Sequence, residues 1–188
     1  MSIDAEYSPM QPTIDSPLHE VLDPDRRIPT DYSIASQAES EWFDGRGHTV
    51  RWQIFHDSDS YDPIAHCNLN VYTNNGDNNY VCFDGVKIDD QGFQGQGYGL
   101  AMYLEAIIYA HSLNLPFRTQ DWDQTEHAVR IWTALHKLGI AREVTPFVFD
   151  RMESRWDQVE GKSYEEPRYK GHYVVDVPMQ TSAATPLQ

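Results

Sequence analysis

A glycine-rich stretch lies in the middle of the chain, where an apolar run typical of a strand gives way to a run typical of a helix. The stretch Gln94-Gly95-Gln96-Gly97-Tyr98-Gly99 follows YVCFDGVKI and leads into YGLAMYLEAIIYAHSL. Glycine lets the main chain turn tightly and approach a ligand, and the free N–H groups of a first helical turn attract an anion. The spacing therefore predicts a site for a pyrophosphate group.

Two common nucleotide-binding motifs do not fit this stretch. The dinucleotide motif G-x-G-x-x-G needs a parallel β-α-β unit with an acidic residue on its second strand, and the sequence predicts no such unit here. The stretch also lacks the G-K-[ST] of a P-loop. Glycines at a strand-to-helix junction also occur simply to make a tight turn, and the pattern alone leaves that alternative open.

The flanking segments must position this junction, and their periodicity predicts an α/β chain. Apolar residues alternate from Thr49 onward, and NNGDNN predicts a hairpin turn between two of the strands. The strand YVCFDGVKI is apolar on both faces, which places it inside the sheet. The predicted strands cover 49–56, 64–73, 80–88, 115–120, 142–150 and 172–179, and the predicted helices cover 97–113 and 125–138.

We expect a mixed, mostly antiparallel sheet of six or seven strands flanked by the helices. A helix connects strands 80–88 and 115–120, so these two strands run in parallel, and the sheet is splayed between them. The charged, aromatic segment 151–170 is longer than a hairpin connection needs.

The sequence divides into three parts. Residues 1–46 form an acidic arm with five prolines and a candidate helix over 31–43. Residues 47–180 form the folded domain, and residues 181–188 form a disordered tail.

The chain resembles the GNAT superfamily of acyl-CoA-dependent N-acyltransferases over about residues 49–179. The loop at 94–99 has the Q/R-x-x-G-x-G/A pattern of the family's acyl-CoA loop. Residues 128–140, with Ala128-x-x-x-Trp132 and then Leu138-Gly139-Ile140, look like its A-x-x-x-Y-x-x-x-G-F helix, and 171–179 look like its closing strand. The resemblance implies a GNAT-like splayed sheet and transfer of an acetyl group from acetyl-CoA to a primary amine.

The resemblance also implies how acetyl-CoA, as co-substrate, would bind. Its pantetheine arm would pair with the main chain at Ile88 and Asp89 like an added strand. Trp132 stands where the family usually has the tyrosine that protonates the departing thiolate. It would be a packing residue beside the thiol, with Tyr173 or water as the acid, or else catalysis has been lost. The loop residues implied in cofactor binding are Gln94, Gly95, Gln96, Gly97, Tyr98 and Gly99.

A base must take a proton from the acceptor, because a lysine-like amine has a reference pKa of ~10.4. The candidates are Asp84 in the buried strand and Asp121 after LPFRTQ, with His66 as a third. Each of these residues could instead have an ordinary structural role. Asp84 could start a bulge or face solvent, Asp121 could be a turn or helix-capping residue, and His66 lies on a polar face of its strand. A main-chain N–H near Ile88 would hold the oxyanion.

Charge and composition exclude several classes of function. The 188 residues carry a formal net charge of -15, which argues against binding to nucleic acid or to an anionic membrane and favours a cationic amine acceptor. The sequence shows no signal peptide, no membrane span and no cluster of metal ligands. Cys67 and Cys82 fit buried thiols, and we expect a cytoplasmic protein.

Two functions from other classes stay open at this point. One is a GNAT-like binding or structural protein that does not catalyse, which the tryptophan at position 132 would favour. The other is an acidic decoy of a nucleic-acid-binding surface, which only the excess of carboxylates favours.

Overall fold

Within the described residues, a mixed sheet of nine strands, flanked by two α-helices, forms the framework of the chain. The computed structural model describes residues 8–10, 28–29, 31–56, 62–76, 78–88, 91–120, 123–157 and 161–177. The strands are β1 (Ser8–Met10), β2 (Tyr32–Glu41), β3 (Gly47–His56), β4 (Ala65–Tyr72), β5 (Tyr80–Ile88), β6 (Phe117–Arg118), β7 (Gln124–Thr125), β8 (Arg142–Asp157) and β9 (Lys162–Val175). The helices are α1 (Tyr98–Ser112) and α2 (Glu126–Lys137).

The strand order confirms the predicted architecture. It runs β1-β2-β3-β4-β5-β6-β9-β7, and β8 pairs with β9 from the other side. Only β5 and β6 pair in parallel among the described strands, through the register Val81↔Phe117. The described part of the chain contributes nine strands to the sheet rather than six or seven, because β1, β2 and β7 join the six that the periodicity predicts.

The helix expected over 31–43 is wrong, because most of this segment is strand β2. All of β2 up to Ala38 pairs with β3 in an antiparallel ladder from Tyr32↔His56 to Ala38↔Val50. Tyr32 and Ile34 are each 1% exposed and face the core with period two. The alanines and glutamates of this segment favour a helix locally, but burial of one face against the sheet decides the outcome.

The segment 151–170 is not a connection between strands. It extends both strands into a long antiparallel hairpin, with cross-strand pairs from Arg142↔Val174 to Asp157↔Lys162. Strands β8 and β9 therefore have 16 and 14 residues. The distal half of this hairpin carries many charged side chains, and it forms one wall of the site described below.

The helices pack on an apolar core that includes the buried residues of β5. Val81 and Cys82 are fully buried although their side chains lie on opposite faces of the strand, which confirms the interior position of β5. Trp52 of β3 meets Tyr109 of α1 edge to face at 5.6 Å, and Phe117 of β6 stacks on Trp132 of α2 at 5.4 Å. Helix α1 therefore packs on β3, and α2 packs on β6.

The residues predicted to begin and end α2 have the expected conformations. The Thr125 hydroxyl accepts a hydrogen bond from the N–H of Ala128 at 3.2 Å, as an N-cap of α2. Gly139 follows α2 with φ +73°, the left-handed conformation expected after a helix. Neither helix in the described part of the chain has the length and apolar character needed to cross a bilayer.

Candidate functional site

The sheet splits beside β5. Its ladder with β6 is limited to Val81↔Phe117, where the Val81 N–H donates to the carbonyl of Pro116 at 2.9 Å. Strand β5 continues to Ile88, whereas β6 ends at Arg118. From Phe83 onward, within the described residues, the β6 side of β5 has no strand partner, so its backbone groups are available to a ligand.

A β-bulge places Asp84 at this split. Leu69 pairs with Phe83 and Asn68 pairs with Gly85, so Asp84 is the extra residue of β5. A bulge bends the strand and re-aims the side chain beside it. The Asp84 carboxylate is exposed and accepts a hydrogen bond from the Gln120 amide at 3.0 Å, which spans the split from the end of β6.

The split opens into a cavity of about 620 Å³. One wall is β5 from Phe83 to Lys87, and a second is β7 with the start of α2. The third is the distal half of the β8–β9 hairpin, with charged side chains at its surface. A cavity of this size holds a small molecule or the end of a larger one.

Four hairpin residues form a closed ionic group, which we call the Glu–Arg quartet: Glu153, Arg155, Glu166 and Arg168. Arg168 is 5% exposed, contacts Glu166 at 2.9 Å and donates its Nε–H to Glu153. Arg155 lies 3.1 Å from Glu153. Because each charge has an opposite neighbour, the quartet adds little net charge to the cavity.

Asp84 is the cavity carboxylate that stands outside these ion pairs. The cavity is lined by Asp84, Asp123, Glu153 and Glu166. Asp123 pairs with Arg151, and the two glutamates belong to the quartet. Among these described carboxylates, only Asp84 has no cationic side chain within ion-pair distance, so it is the one available to a ligand cation or to a proton.

The glycine loop turns as its sequence predicts. Gly95 and Gly97 have φ of +75° and +97°, a region that strongly favours glycine. Gly97 is the N-cap of α1 and makes no side-chain capping bond, and the first N–H groups of α1 point out of the helix end. Gly99 is already helical and faces Ile131 of α2. This geometry suits an anion, and anion binding by the loop stays a prediction.

The side chains of the loop do not point to a ligand. Gln96 donates its amide to the carbonyl of Gly92, and the Gln94 amide lies 3.5 Å from the carbonyl of Ile88. The Tyr98 ring is buried, and its hydroxyl donates to Asp31 at 3.2 Å. Any contact of the loop with an anion would therefore come from its main chain.

Trp132 lies in an aromatic cluster behind the split. It is 1% exposed, stacks on Phe117 and meets Tyr103 edge to face at 5.7 Å. Burial raises the pKa of Tyr103, and the neighbouring Trp132 indole acts in the opposite direction. The predicted role of Trp132 beside the thiol stays untested.

Sequence reasoning missed Tyr103 and the quartet. Tyr103 lines the cavity from α1, where the helical spacing marks it only as part of a buried stripe. The clue in the sequence was the tyrosine hydroxyl, because a buried tyrosine usually places that group near a polar partner. The quartet could not be found without the hairpin register that brings 153 opposite 166.

The remaining described residues that the sequence suggested for the site do not line the cavity. His66 is on β4, opposite Lys87, and does not line the cavity. Tyr173 donates its hydroxyl to Glu143, and burial together with this carboxylate raises its pKa to about 12. Ile88 ends β5 opposite Ala65, at the edge of the split.

Two of the candidate site residues, Asp89 and Asp121, lie outside the described residues. Within the described residues, no group of three or more His, Cys, Asp or Glu side chains could hold a metal ion.

The chain is similar to known proteins in structure. No protein-family model matches the chain, and no curated protein matches it. Among solved structures, the chain is similar to a Bacillus subtilis acetyltransferase in complex with CoA. The TM-score is 0.40 and the identity 11%, over 75% of this chain and 97% of that one.

Proposed function

We propose that the chain is an acyl-CoA-dependent N-acyltransferase that transfers an acetyl group from acetyl-CoA to a primary amine. The observation that carries this proposal is the split beside β5. Strand β5 has an edge without a strand partner and carries Asp84 at its β-bulge. After a short loop it leads to the N-terminus of α1, which Gly97 caps. These three features are what an extended thioester, an amine and a pyrophosphate would each need.

In this proposal, CoA lies along β5. Its pyrophosphate meets the first N–H groups of α1, at the positive end of the helix dipole. Its pantetheine arm pairs with the free edge of β5 toward Ile88 and Asp89, and the thioester reaches the cavity beside the bulge. The turn conformations of Gly95 and Gly97 support this arrangement.

Asp84 is the proposed general base. It faces the cavity, and its Gln120 hydrogen bond fixes the carboxylate without neutralising it. The base takes a proton from the ammonium, directly or through water, and the nitrogen lone pair then forms a bond to the thioester carbon. A main-chain N–H of the bulged strand holds the oxyanion. As the carbonyl re-forms, the C–S bond breaks with its electron pair on sulfur, and the second proton lost by the nitrogen passes through Asp84 or water to the sulfur, which leaves as the CoA thiol.

The proposed acceptor is a cationic amine. The net charge of -15 attracts cations over the whole molecule. In the cavity, the carboxylate available to the acceptor ammonium is Asp84, beside the reacting carbon. An acceptor with a further positive group would also meet the outer oxygens of the quartet.

The direct test is thiol release from acetyl-CoA with a panel of amines, which covers polyamines, aminosugars and lysine peptides. We expect release with at least one cationic amine and the background rate with none added. Background release with every amine, in a protein that binds CoA by calorimetry, would instead support a binding protein without turnover. Trp132 at the usual tyrosine position is the observation that favours this second function.

A further inference from the structure

We propose that Trp156 and Tyr164 select an acceptor that carries a second positive group. The two rings, together with carboxylate oxygens of Glu153 and Glu166, hold that group while the reacting amine lies at Asp84. We call the two aromatic residues and the two glutamates the cation subsite. The inference rests on the proposed acyl transfer and narrows its substrate class to linear diamines and longer amines with two charged nitrogens.

Trp156 and Tyr164 are large aromatic side chains that the fold leaves exposed. Their exposed fractions are 63% and 46%, and neither belongs to the apolar core. Both line the cavity from the distal half of the β8–β9 hairpin. Arg155 lies opposite Tyr164 and Trp156 lies opposite Ser163, so the two aromatic residues occupy neighbouring cross-strand pairs. An aromatic face attracts a cation within about 6 Å of its centre, so these rings suit an ammonium group.

The two glutamates of the quartet each keep one oxygen outside its ion pairs. On Glu153, both arginines of the quartet contact the Oε2 atom. On Glu166, both arginines again contact Oε2. Neither Oε1 atom has an ion-pair contact with a described residue. Because Glu153 and Glu166 are direct cross-strand partners, their like charges lie side by side, and a further cation near the Oε1 atoms is favourable.

The charges on this wall favour a cation over an anion. Arg168 is 5% exposed and is buried against both glutamates, so its charge is used inside the wall. Arg155 lies 3.1 Å from Glu153. An anionic group would have to displace one of these pairs, whereas an ammonium can donate to the Oε1 atoms and leave the pairs intact.

The reacting amine has a separate place in the same cavity. Asp84 lies at the bulge of β5, and the Gln120 amide donates to its Oδ1 atom at 3.0 Å. A molecule with one ammonium group can occupy either Asp84 or the cation subsite, whereas a flexible chain with an ammonium at each end can occupy both. The second contact lies away from the reacting carbon and is the same before and during the reaction. It therefore lowers KM for the acceptor and has little effect on kcat.

The test measures acetyl transfer to alkylamines and to α,ω-diamines of equal chain length, over three to eight carbons. The proteins are the parent, Trp156→Leu, Tyr164→Leu and, as a matched control, Phe149→Leu. Phe149 is an aromatic residue of the same hairpin that is 58% exposed and does not line the cavity. In the parent, we expect KM for the best diamine to lie at least about tenfold below KM for its monoamine, with similar kcat.

The variants show whether the two rings cause this preference. Trp156→Leu and Tyr164→Leu should each raise KM for the diamine by roughly threefold to tenfold and change KM for the monoamine much less. Trp156→Phe keeps an aromatic face, so it should recover most of the affinity that Trp156→Leu loses. Phe149→Leu should leave both KM values at those of the parent.

A second measurement does not depend on turnover. Isothermal titration calorimetry with the diamine and with its monoamine, in the presence of CoA, gives the affinity of each amine directly. We expect the parent and Phe149→Leu proteins to bind the diamine alike, and Trp156→Leu and Tyr164→Leu to bind it more weakly by the factors expected for KM.

The outcomes separate the two proposals. Diamine binding that is weakened in Trp156→Leu and Tyr164→Leu, without thiol release from acetyl-CoA, would refute the acyl transfer and keep the cation subsite. Turnover with equal KM for monoamine and diamine, or an equal loss in Phe149→Leu, would overturn the cation subsite alone. Unchanged diamine affinity in Trp156→Leu, with a changed oligomeric state by size-exclusion chromatography, would also overturn it and assign the exposed ring to a contact between chains.

Discussion

Substitution of Gly97 can separate the conformational role of this glycine from its proposed role beside an anion. The residue has φ +97° and caps α1 with no side-chain hydrogen bond. Any L-residue there pays a backbone strain of about 1–2 kcal/mol. A carboxylate adds charge repulsion only if an anion binds at the helix end. The matched pair is Gly97→Ala, with strain alone, and Gly97→Glu, with strain and charge.

The expected magnitudes follow from this geometry. Strain of about 1–2 kcal/mol lowers the melting temperature of a protein of this size by roughly 2–8 °C, and equally in both variants. A carboxylate some 4–6 Å from a pyrophosphate oxygen costs about 1–4 kcal/mol at a surface-like dielectric. CoA should therefore bind to Gly97→Glu at least roughly tenfold more weakly than to Gly97→Ala.

Isothermal titration calorimetry with CoA measures this difference, and pantetheine, which has no pyrophosphate, is the control ligand. The two variants should bind pantetheine alike. The difference in CoA affinity should shrink at high salt, because ions screen an exposed charge pair. Equal CoA affinity in the two folded variants would refute the anion site at α1 and leave the glycines explained by the turn alone.

Three further changes test other parts of the structure. Asp84→Asn should lower kcat by about 100-fold or more while CoA affinity is unchanged, and its rate should rise with pH as the free amine loses its proton, which a pH–rate profile records. Arg168→Met removes a buried cation from two glutamates, so thermal melts should show a loss of about 2 kcal/mol in the free energy of unfolding. Because the pKa of Tyr173 is raised to about 12, its contribution to stability is complete below pH ~10 and is lost as the pH rises toward 12. Chemical unfolding at pH 9 and 11.5 should therefore show a stability loss that is smaller in Tyr173→Phe.

The strands and helices with strong periodicity could be predicted from the sequence. Strand β5 matches its predicted bounds, and α1 and α2 differ by one residue at each end. Their apolar residues repeat at the period of the element over many residues, so one face is fixed by burial. Glycine and threonine also mark the helix ends through local chemistry, as at Gly97 and Thr125.

The elements that the sequence did not predict are those whose secondary structure is determined by tertiary contacts. Strand β2 has residues with good helix propensity, and only its ladder with β3 makes it extended. The distal hairpin is highly charged and shows no apolar alternation, because its charged face meets the cavity instead of a core. Strands β1 and β7 have three and two residues, too few for a pattern to appear.

The sequence predicts those residues of the candidate site that carry a local signal, and it misses those that depend on tertiary contacts. Gly95 and Gly97 were visible because a positive φ demands glycine, and Asp84 because a carboxylate inside an apolar strand is unusual. Tyr103 looks like a core residue until the position of its hydroxyl is known. Arg168 could not be paired with Glu153 before the hairpin register was established.

The distal half of the β8–β9 hairpin, which forms one wall of the cavity, pairs with itself and not with the other strands of the described sheet. Within the described residues, 152–157 and 162–167 form a ladder only with each other. Glu153 and Glu166 share one face of that ladder, and Met152 lies on the other. In the proposed function, a related chain with a longer ladder would present a different wall to the acceptor, and the number of added residues decides which face that wall shows. Two residues added to each strand keep Glu153 and Glu166 on their present face, whereas one residue added to each would exchange them for the face that carries Met152 and Glu165.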